Sequence, residues 1–154
     1  MTPLKDLKID FTAIDGVAYS FIDTPGDAKY LKNVISAITL ADIPVLVVPS
    51  DLDALSRGDC KHPVGQAREH AALSYIYGLK QLIVCVTKMD KCGYSQNNYM
   101  QCCETVSRML RVVGYDLSQT VMIPVSSKGD FGENVIKPST EMEWYKGPTL
   151  MEAL

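Results

Sequence analysis

The chain has 154 residues, of which 47% are hydrophobic and 21% charged. This composition is typical of a globular domain and excludes collagen-like and disordered chains, while the shortness of the apolar runs excludes a membrane-spanning helix. Fifteen basic and 18 acidic residues give a formal net charge of −3, so no overall basic field favours phosphate backbones. We therefore expect one soluble domain over residues 1–154 with no membrane partner.

Cysteine usage and the N-terminus indicate the compartment. Five cysteines are an odd number and lack the spacing of a secreted disulfide framework. The first residues contain no apolar segment of the kind a secretory signal needs. Cys60 and His62 are a single pair, whereas a structural zinc site takes four ligands. We expect reduced thiols, no zinc centre and a cytoplasmic protein.

The N-terminal quarter predicts a β-hairpin followed by a helix. The β-rich runs Leu7–Phe11 and Val17–Ile22 flank residues 13–16, which end in Asp-Gly, a pair typical of hairpin turns. After Asp23-Thr24-Pro25-Gly26, apolar residues recur at the spacing of one helix face. The residues of this face are Leu31, Val34, Ile35 and Ile38.

The rest of the chain alternates strands with helices. Apolar runs that predict buried strands are Val45–Val48, Leu82–Val86 and Val121–Val125. Residues 51–63 read as a loop, and helices are predicted over Gln66–Tyr77, between Ser95 and Gly114, and from Pro148 onward. A strand, a helix and another strand in succession imply parallel pairing. The predicted fold class is three-layer α/β, a mostly parallel sheet with an N-terminal antiparallel hairpin.

The buried strands also predict the core. Almost complete burial is expected for Val47, Leu82, Val84, Val86 and Ile123. The predicted flanking residues from the helices are Ile35, Leu73 and Leu110.

Polar residues follow three of the predicted strands. They are Asp23-Thr24-Pro25-Gly26, Thr87-Lys88-Met89-Asp90 and Ser126-Ser127-Lys128. Ligands of open α/β sheets bind beyond the carboxyl ends of the strands, so these segments are the candidate site. Each alone is more often a turn or a solvated loop, but the three in this order, each after a predicted strand, favour a common site.

The residue types suit a guanine nucleotide. Asp23 can reach a Mg²⁺ ion, usually through water, and Gly26 lets its amide approach a γ-phosphate. The Lys88 stem can cover a planar base while the Asp90 carboxylate accepts the N1–H and N2–H donors of guanine. Backbone amides of residues 126–128 can donate to the guanine carbonyl.

Longer segments extend the pattern. They are Phe21–Gly26, Lys32–Ile35, Gly65–Ala71, Gly78–Val84, Lys88–Asp90, Gly114–Tyr115, Ile123–Ser126 and Trp144–Pro148. Through them, residues 17–154 resemble the GTP-binding domain of the translational GTPases, most closely that of the elongation factor 1-alpha family. In that family the domain is a GTP- and Mg²⁺-dependent switch that delivers aminoacyl-tRNA to the ribosome.

The resemblance implies a P-loop-GTPase-like fold, GTP or GDP with Mg²⁺ as cofactors, and guanine nucleotide, ribosome, aminoacyl-tRNA or an exchange factor as partners. It assigns Asp23 to Mg²⁺ and Gly26 to the γ-phosphate. The nucleotide-binding residues it implies are Asp23, Gly26, Thr87, Lys88, Asp90, Ser126, Ser127 and Lys128.

The sequence also departs from the family. No glycine begins the P-loop pattern G-x-x-x-x-G-K-[ST], and the strand and helix that flank the P-loop in the family have no counterpart. Asp27 stands where the family has the His that positions the attacking water, and Thr87 replaces the Asn of the guanine motif. We expect a partial, N-terminally truncated GTPase domain with weak or no nucleotide binding and impaired hydrolysis.

Two further interpretations stay open. The chain can be a nucleotide-independent interaction module derived from a GTPase domain, or a truncated product without a separate function. In the family, the P-loop strand lies between the strand that ends at Asp23 and the strand Val45–Val48. We expect these two strands to become neighbours, or a second chain or copy to fill the gap, because unpaired backbone groups in an apolar setting are costly.

Overall fold

The computed structural model describes residues 8–14, 16–25, 30–51, 63–129 and 132–154. The strands of this part form two sheets. The first sheet lies in the unit Met1–Asp42 and the second in the unit Ile43–Leu154. No helix in the described ranges is both long and apolar enough to cross a bilayer. That the 154 residues act as a single domain stays a prediction.

The first unit is a hairpin and a helix. Strands β1 (Lys8–Ile14) and β2 (Val17–Asp23) pair antiparallel in unbroken register. They are longer than predicted, because the connection is only residues 15 and 16, and Gly16 has the positive φ (81°) that such a short turn needs. Helix α1 (Leu31–Ile38) confirms the predicted helix, with Val34 and Ile38 buried.

The second unit is a parallel sheet in the order β3–β4–β5 with helices on both faces. The strands are β3 (Val45–Pro49), β4 (Leu82–Thr87) and β5 (Thr120–Pro124). The helices are α2 (Pro63–Ile76), α3 (Gln96–Val113) and the short α4 (Leu150–Ala153). The predicted loop before α2 therefore ends one residue earlier than expected, and its residues 52–62 lie outside the described part.

The central strand β4 is buried on both faces. Val84 and Val86 pack with residues of α2 and α3 in one cluster, whereas Ile83 and Cys85 pack in another cluster against which α4 lies. Two-sided burial of this kind explains why a parallel strand is an unbroken apolar run. The mixed α/β fold, with its parallel sheet and antiparallel hairpin, is as predicted.

The predicted burial is confirmed for most of the core residues and is wrong for one of them. Leu82, Val84, Val86 and Ile123 are at most 2% exposed, and Leu110 is fully buried.

Val47, by contrast, is 60% exposed. Its neighbours Leu46 and Val48 join the cluster beneath α2 and α3, so the alternation of a strand turns Val47 to the other face. Among the described residues β3 is an edge strand, so this position has a neighbouring strand on one side only. Among the flanking residues, Leu73 and Ile35 are half-buried.

Within the described residues, β2 is paired with β1 and β3 with β4. That β2 and β3 are neighbours stays a prediction. A second chain at the outer edge of β3 stays a prediction.

Candidate functional site

Two of the three sequence motifs meet at the carboxyl ends of β4 and β5. Residues 87–90 and residues 126–128 leave neighbouring parallel strands at the same edge of the sheet. The hydroxyl of Ser126 donates to Asp90 Oδ1 at 3.1 Å. Ser126 is 2% exposed and Asp90 is half-buried. This hydrogen bond joins the two halves of the predicted guanine site.

The backbone turns sharply at Lys88. Its φ of 61° and ψ of 32° are left-handed, a conformation that costs a residue with a side chain about 1–2 kcal/mol. The Lys88 carbonyl accepts the amide of Lys91 at 2.9 Å and the hydroxyl of Ser50 at 2.9 Å. The residue thus begins the one-turn 3₁₀ helix Met89–Cys92, and its own side chain is exposed.

Met89 anchors that turn in the core. Its side chain is fully buried, its amide donates to Val125 O at 3.4 Å, and its carbonyl accepts the Tyr94 amide at 2.9 Å. Asp90 follows directly, so a buried side chain on one side and the Ser126 hydroxyl on the other limit its position.

Ser50 brings the end of a third strand to the site, and the sequence analysis did not identify it. Its amide donates to Thr87 O at 2.8 Å, and its carbonyl accepts the Cys102 thiol at 3.5 Å. Burial raises the pKa of the Cys102 thiol to about 11, so the S–H donor persists at neutral pH. The available signal was position, because Ser50 directly follows the buried strand β3.

The Thr87 side chain bonds to a neighbouring strand, and its role in nucleotide binding stays a prediction. Its hydroxyl donates to Val48 O at 3.3 Å, back into the edge strand β3. The side chain therefore ties β4 to β3.

The loop after β5 is also held by its own hydrogen bonds. Ser126 Oγ accepts the Lys128 amide at 3.2 Å, and the Ser126 carbonyl accepts the Glu133 amide at 2.8 Å. A Cβ at Gly132 would lie 2.9 Å from that same carbonyl, so a side chain there would force the backbone of residues 126 and 132 apart. Ser127 and Lys128 are exposed at the tip.

Asn134 is a second contributor that the sequence analysis did not identify. It is 3% exposed, and its side-chain amide donates to Pro124 O at 2.9 Å. Its side-chain oxygen accepts the Ser139 amide at 2.7 Å. The φ of 57° is left-handed, which Asn tolerates better than most residues, so an Asn in a Gly-containing loop was the available signal.

The phosphate side of the predicted site is described only at Asp23, the exposed last residue of β2. Gly26, Asp27 and Ala28 lie outside the described residues. A single carboxylate is compatible with Mg²⁺, which takes its other ligands from water and phosphate. Within the described ranges no three His, Cys, Asp or Glu side chains gather as a metal site. The roles of Asp23 and Gly26 stay predictions.

The base side is rich in exposed lysines. Lys88, Lys91 and Lys128 are exposed in the two loops that meet at the half-buried Asp90. The arrangement combines one acceptor group for a ligand N–H with cationic side chains around it. Such a site can take a planar ring with adjacent N–H donors, and its rim favours an anionic ligand.

Comparisons with known proteins agree with this geometry. The profile of the family "Elongation factor Tu GTP binding domain" matches residues 6–154. Elongation factor 1-alpha of Entamoeba histolytica is 41% identical over 136 residues, which are 88% of this chain and 30% of that protein. The chain thus spans less than a third of the length of this relative.

Solved structures show the same likeness. A crystal structure of Sup35 complexed with GDP has a TM-score of 0.70 and 30% identity over 93% of this chain and 33% of that one. A crystal structure of Sup35 complexed with GMPPNP has a TM-score of 0.59 and 31% identity, and the match covers 73% of this chain and 28% of that one. The bacterial selenocysteine-specific elongation factor EF-Sec has a TM-score of 0.63 and 23% identity, and the match covers 79% of this chain and 19% of that one. At this identity the likeness shows the fold alone. On the family profile and the 41% identity together, the chain belongs to the elongation factor Tu GTP-binding domain family of translational GTPases.

Proposed function

We propose that this chain recognises the guanine base of a guanine nucleotide through Asp90, with little contribution from the phosphates. The observation that carries the proposal is the hydrogen bond from Ser126 to Asp90, which joins the loops after two neighbouring strands. Membership of a GTP-binding family and the Sup35–GDP complex support guanine as the ligand.

The chemistry follows from the lone pairs of the carboxylate. Ser126 uses one acceptor position of Asp90, and the remaining positions suit the N1–H and N2–H donors that guanine presents side by side. Adenine has an acceptor at N1 and no 2-amino group, so it cannot offer the carboxylate two adjacent N–H donors. The exposed stem of Lys88 covers a face of the ring in this proposal.

Hydrolysis of GTP by the 154 residues is not proposed. The sequence has no G-x-x-x-x-G-K-[ST] segment to hold the β- and γ-phosphates, and phosphoryl transfer depends on holding them in place. By resemblance, Asp27 also replaces the His that positions the attacking water, and an anion at that place would oppose the negative charge that develops. When bound through Asp23, Mg²⁺ would neutralise phosphate charge. We expect a GDP dissociation constant weaker than about 0.1 mM, or −5.5 kcal/mol.

The test compares nucleotides that differ only in the base. GMP, IMP and AMP are titrated into the ¹⁵N-labelled chain, and amide shifts of residues 88–91 and 126–128 are followed. We expect GMP to bind best, with IMP weaker because it lacks the 2-amino group, and AMP weakest.

Asp90→Ala should lower GMP affinity about tenfold, as expected for a hydrogen bond to a charged group. Glu104→Ala, which removes an exposed carboxylate on α3, is the matched control and should change nothing. Equal affinity for GMP and AMP, or an Asp90→Ala chain that keeps the parent preference, would refute the proposal.

The outer edge of β3 favours a second candidate function, a nucleotide-independent interaction module. This apolar strand has no further strand beside it among the described residues, and Val47 on it is 60% exposed. Such an edge can pair with a second copy or a second chain. Sedimentation of the parent chain and of Val47→Lys tests it: a dimer that the lysine abolishes supports the module, and a monomer at all concentrations opposes self-association.

Partners and compartment follow from the family as proposals. The ribosome, aminoacyl-tRNA or an exchange factor is the proposed macromolecular partner, as for other translational GTPases. The proposed compartment is the cytoplasm, since Cys85, Cys92, Cys102 and Cys103 are all free thiols in the described part of the chain.

A further inference from the structure

We propose that Ser50 is a positioning residue that sets the conformation of the Lys88–Asp90 loop and thereby aims Asp90 at the base. The proposal rests on the proposed guanine recognition for its functional consequence. Its structural part, the effect of Ser50 on the loop, can be measured without any ligand.

Every polar group of Ser50 is used at this junction. The amide and the hydroxyl bond the carbonyls of two successive residues, Thr87 at 2.8 Å and Lys88 at 2.9 Å. The carbonyl accepts the thiol of Cys102 from α3 at 3.5 Å. With 2% exposure, Ser50 lies where water does not replace a lost partner. One small residue thus connects β3, the end of β4 and α3.

The hydroxyl acts at the point where the backbone changes direction. Thr87 is the last residue of β4, and Lys88 adopts the left-handed conformation, so the carbonyl of Lys88 leaves the ladder of the sheet. That carbonyl accepts the amide of Lys91, which closes the 3₁₀ turn containing Asp90, and the hydroxyl of Ser50, which fixes the turn to β3. Without the hydroxyl, the turn keeps its internal bond and loses its tie to the neighbouring strand.

Two nearby hydroxyls are already used elsewhere. The hydroxyl of Thr87 is used on Val48 O, within the sheet. The hydroxyl of Ser126 holds Asp90 from the opposite side. Asp90 is therefore positioned from two directions, by Ser126 directly and by Ser50 through the carbonyl of Lys88.

The experiment compares Ser50→Ala, which removes only the hydroxyl, with Ser50→Thr, which keeps one. Thr120→Val is the matched control, since it removes a hydroxyl that donates to the Asp116 carbonyl at the other end of the sheet. Amide exchange of Lys91 is measured without ligand, and GMP and AMP are then titrated.

In Ser50→Ala we expect Lys91 to exchange at least threefold faster, and GMP affinity to fall about threefold to tenfold, the range of one hydrogen bond. Ser50→Thr and Thr120→Val should match the parent chain in both. A folded Ser50→Ala chain with unchanged Lys91 exchange and unchanged GMP preference would overturn the proposal, whatever its melting temperature. So would a folded Ser50→Thr chain that behaves like a chain without the hydroxyl.

Failure of the underlying function gives a different result. If the parent chain does not prefer GMP to AMP, guanine recognition is refuted by that result alone. The exchange of Lys91 in the ligand-free variants then still decides whether Ser50 positions the loop.

Discussion

The ends of β4 and β5 carry the residues proposed for the base, and the end of β2 carries the Asp23 proposed for Mg²⁺. The two regions differ in how they are held. Beyond β3, β4 and β5, side-chain hydroxyls link the chain segments that follow the strands: Ser126 donates to Asp90, and Ser50 donates to the carbonyl of Lys88. At β2, the strand ends in the exposed Asp23 within a two-stranded hairpin.

The difference teaches that the base side is supported by its own unit. Its ties come from β3, β4, β5 and the loop after β5, all within Ile43–Leu154. The phosphate side would depend on a P-loop, which this sequence does not contain. In the proposed function, base recognition is therefore separable from phosphate binding.

The largest change should come from supplying the phosphate side. Fusing the P-loop segment of a relative before Leu7 should raise GDP affinity by orders of magnitude, because loop amides, a lysine and Mg²⁺ then hold the phosphates. Calorimetric titration with GDP measures it, and the same fusion with the P-loop lysine replaced by alanine is the control. Unchanged affinity in a folded fusion would show that the base side alone limits binding.

The support of the base side can be removed at the centre of the sheet. Val84→Asp should cost more than about 3 kcal/mol of unfolding free energy, because it buries an unpaired charge at a fully buried position of β4. Val112→Asp introduces the same charge at a position of α3 that is 71% exposed and should cost little. Denaturant unfolding compares them, and equal melting of the two variants would contradict the layered fold.

A smaller loss is expected from the loop after β5. Asn134→Ala should lower the unfolding free energy by about 1–3 kcal/mol, since it leaves the Pro124 carbonyl and the Ser139 amide without their partner. We also expect a weaker preference for GMP over AMP, because this loop carries Ser126. Asn97→Ala, at an exposed position of α3, is the control. A variant as stable as the parent chain would argue against a structural role for Asn134.

The smallest effect concerns pH and the buried thiols. Burial raises the pKa of both Cys85 and Cys102 from 9.0 to about 11. Above pH 9 the unfolded chain therefore loses these protons before the folded chain does, and stability falls as the pH rises from 9 towards 11. Denaturant unfolding at pH 8 and pH 10 should show a smaller loss for the double variant Cys85→Ala, Cys102→Ala. An equal loss in both chains would exclude the thiols as the cause.

Much of the fold was predictable because its signals are local. The apolar runs predicted the three parallel strands, and Ser95 and Gly114 were predicted to cap α3, which they do. Burial on both faces was predictable for the central strand, where every residue from Leu82 to Val86 is buried. The exposure of Val47 was not predictable, because strand order in a sheet depends on contacts between segments distant in sequence.

The candidate site was predictable to the level of its motifs. Asp90 and Ser126 carry recognisable residue types at strand ends, and the structure brings their side chains together. Ser50 and Asn134 were not predictable in the same way, because they act on the carbonyls of Lys88 and Pro124. Backbone carbonyls leave no trace in the sequence, so the residues that bind them appear only once the chain has folded.

The claim that the base is bound and the phosphates are not is tested most directly by titrating the 154-residue chain with GDP and GMP, each with and without Mg²⁺. The predicted result is a GDP affinity weaker than about 0.1 mM, within about threefold of that of GMP and insensitive to Mg²⁺. Micromolar, Mg²⁺-dependent binding of GDP with much weaker binding of GMP would contradict the account.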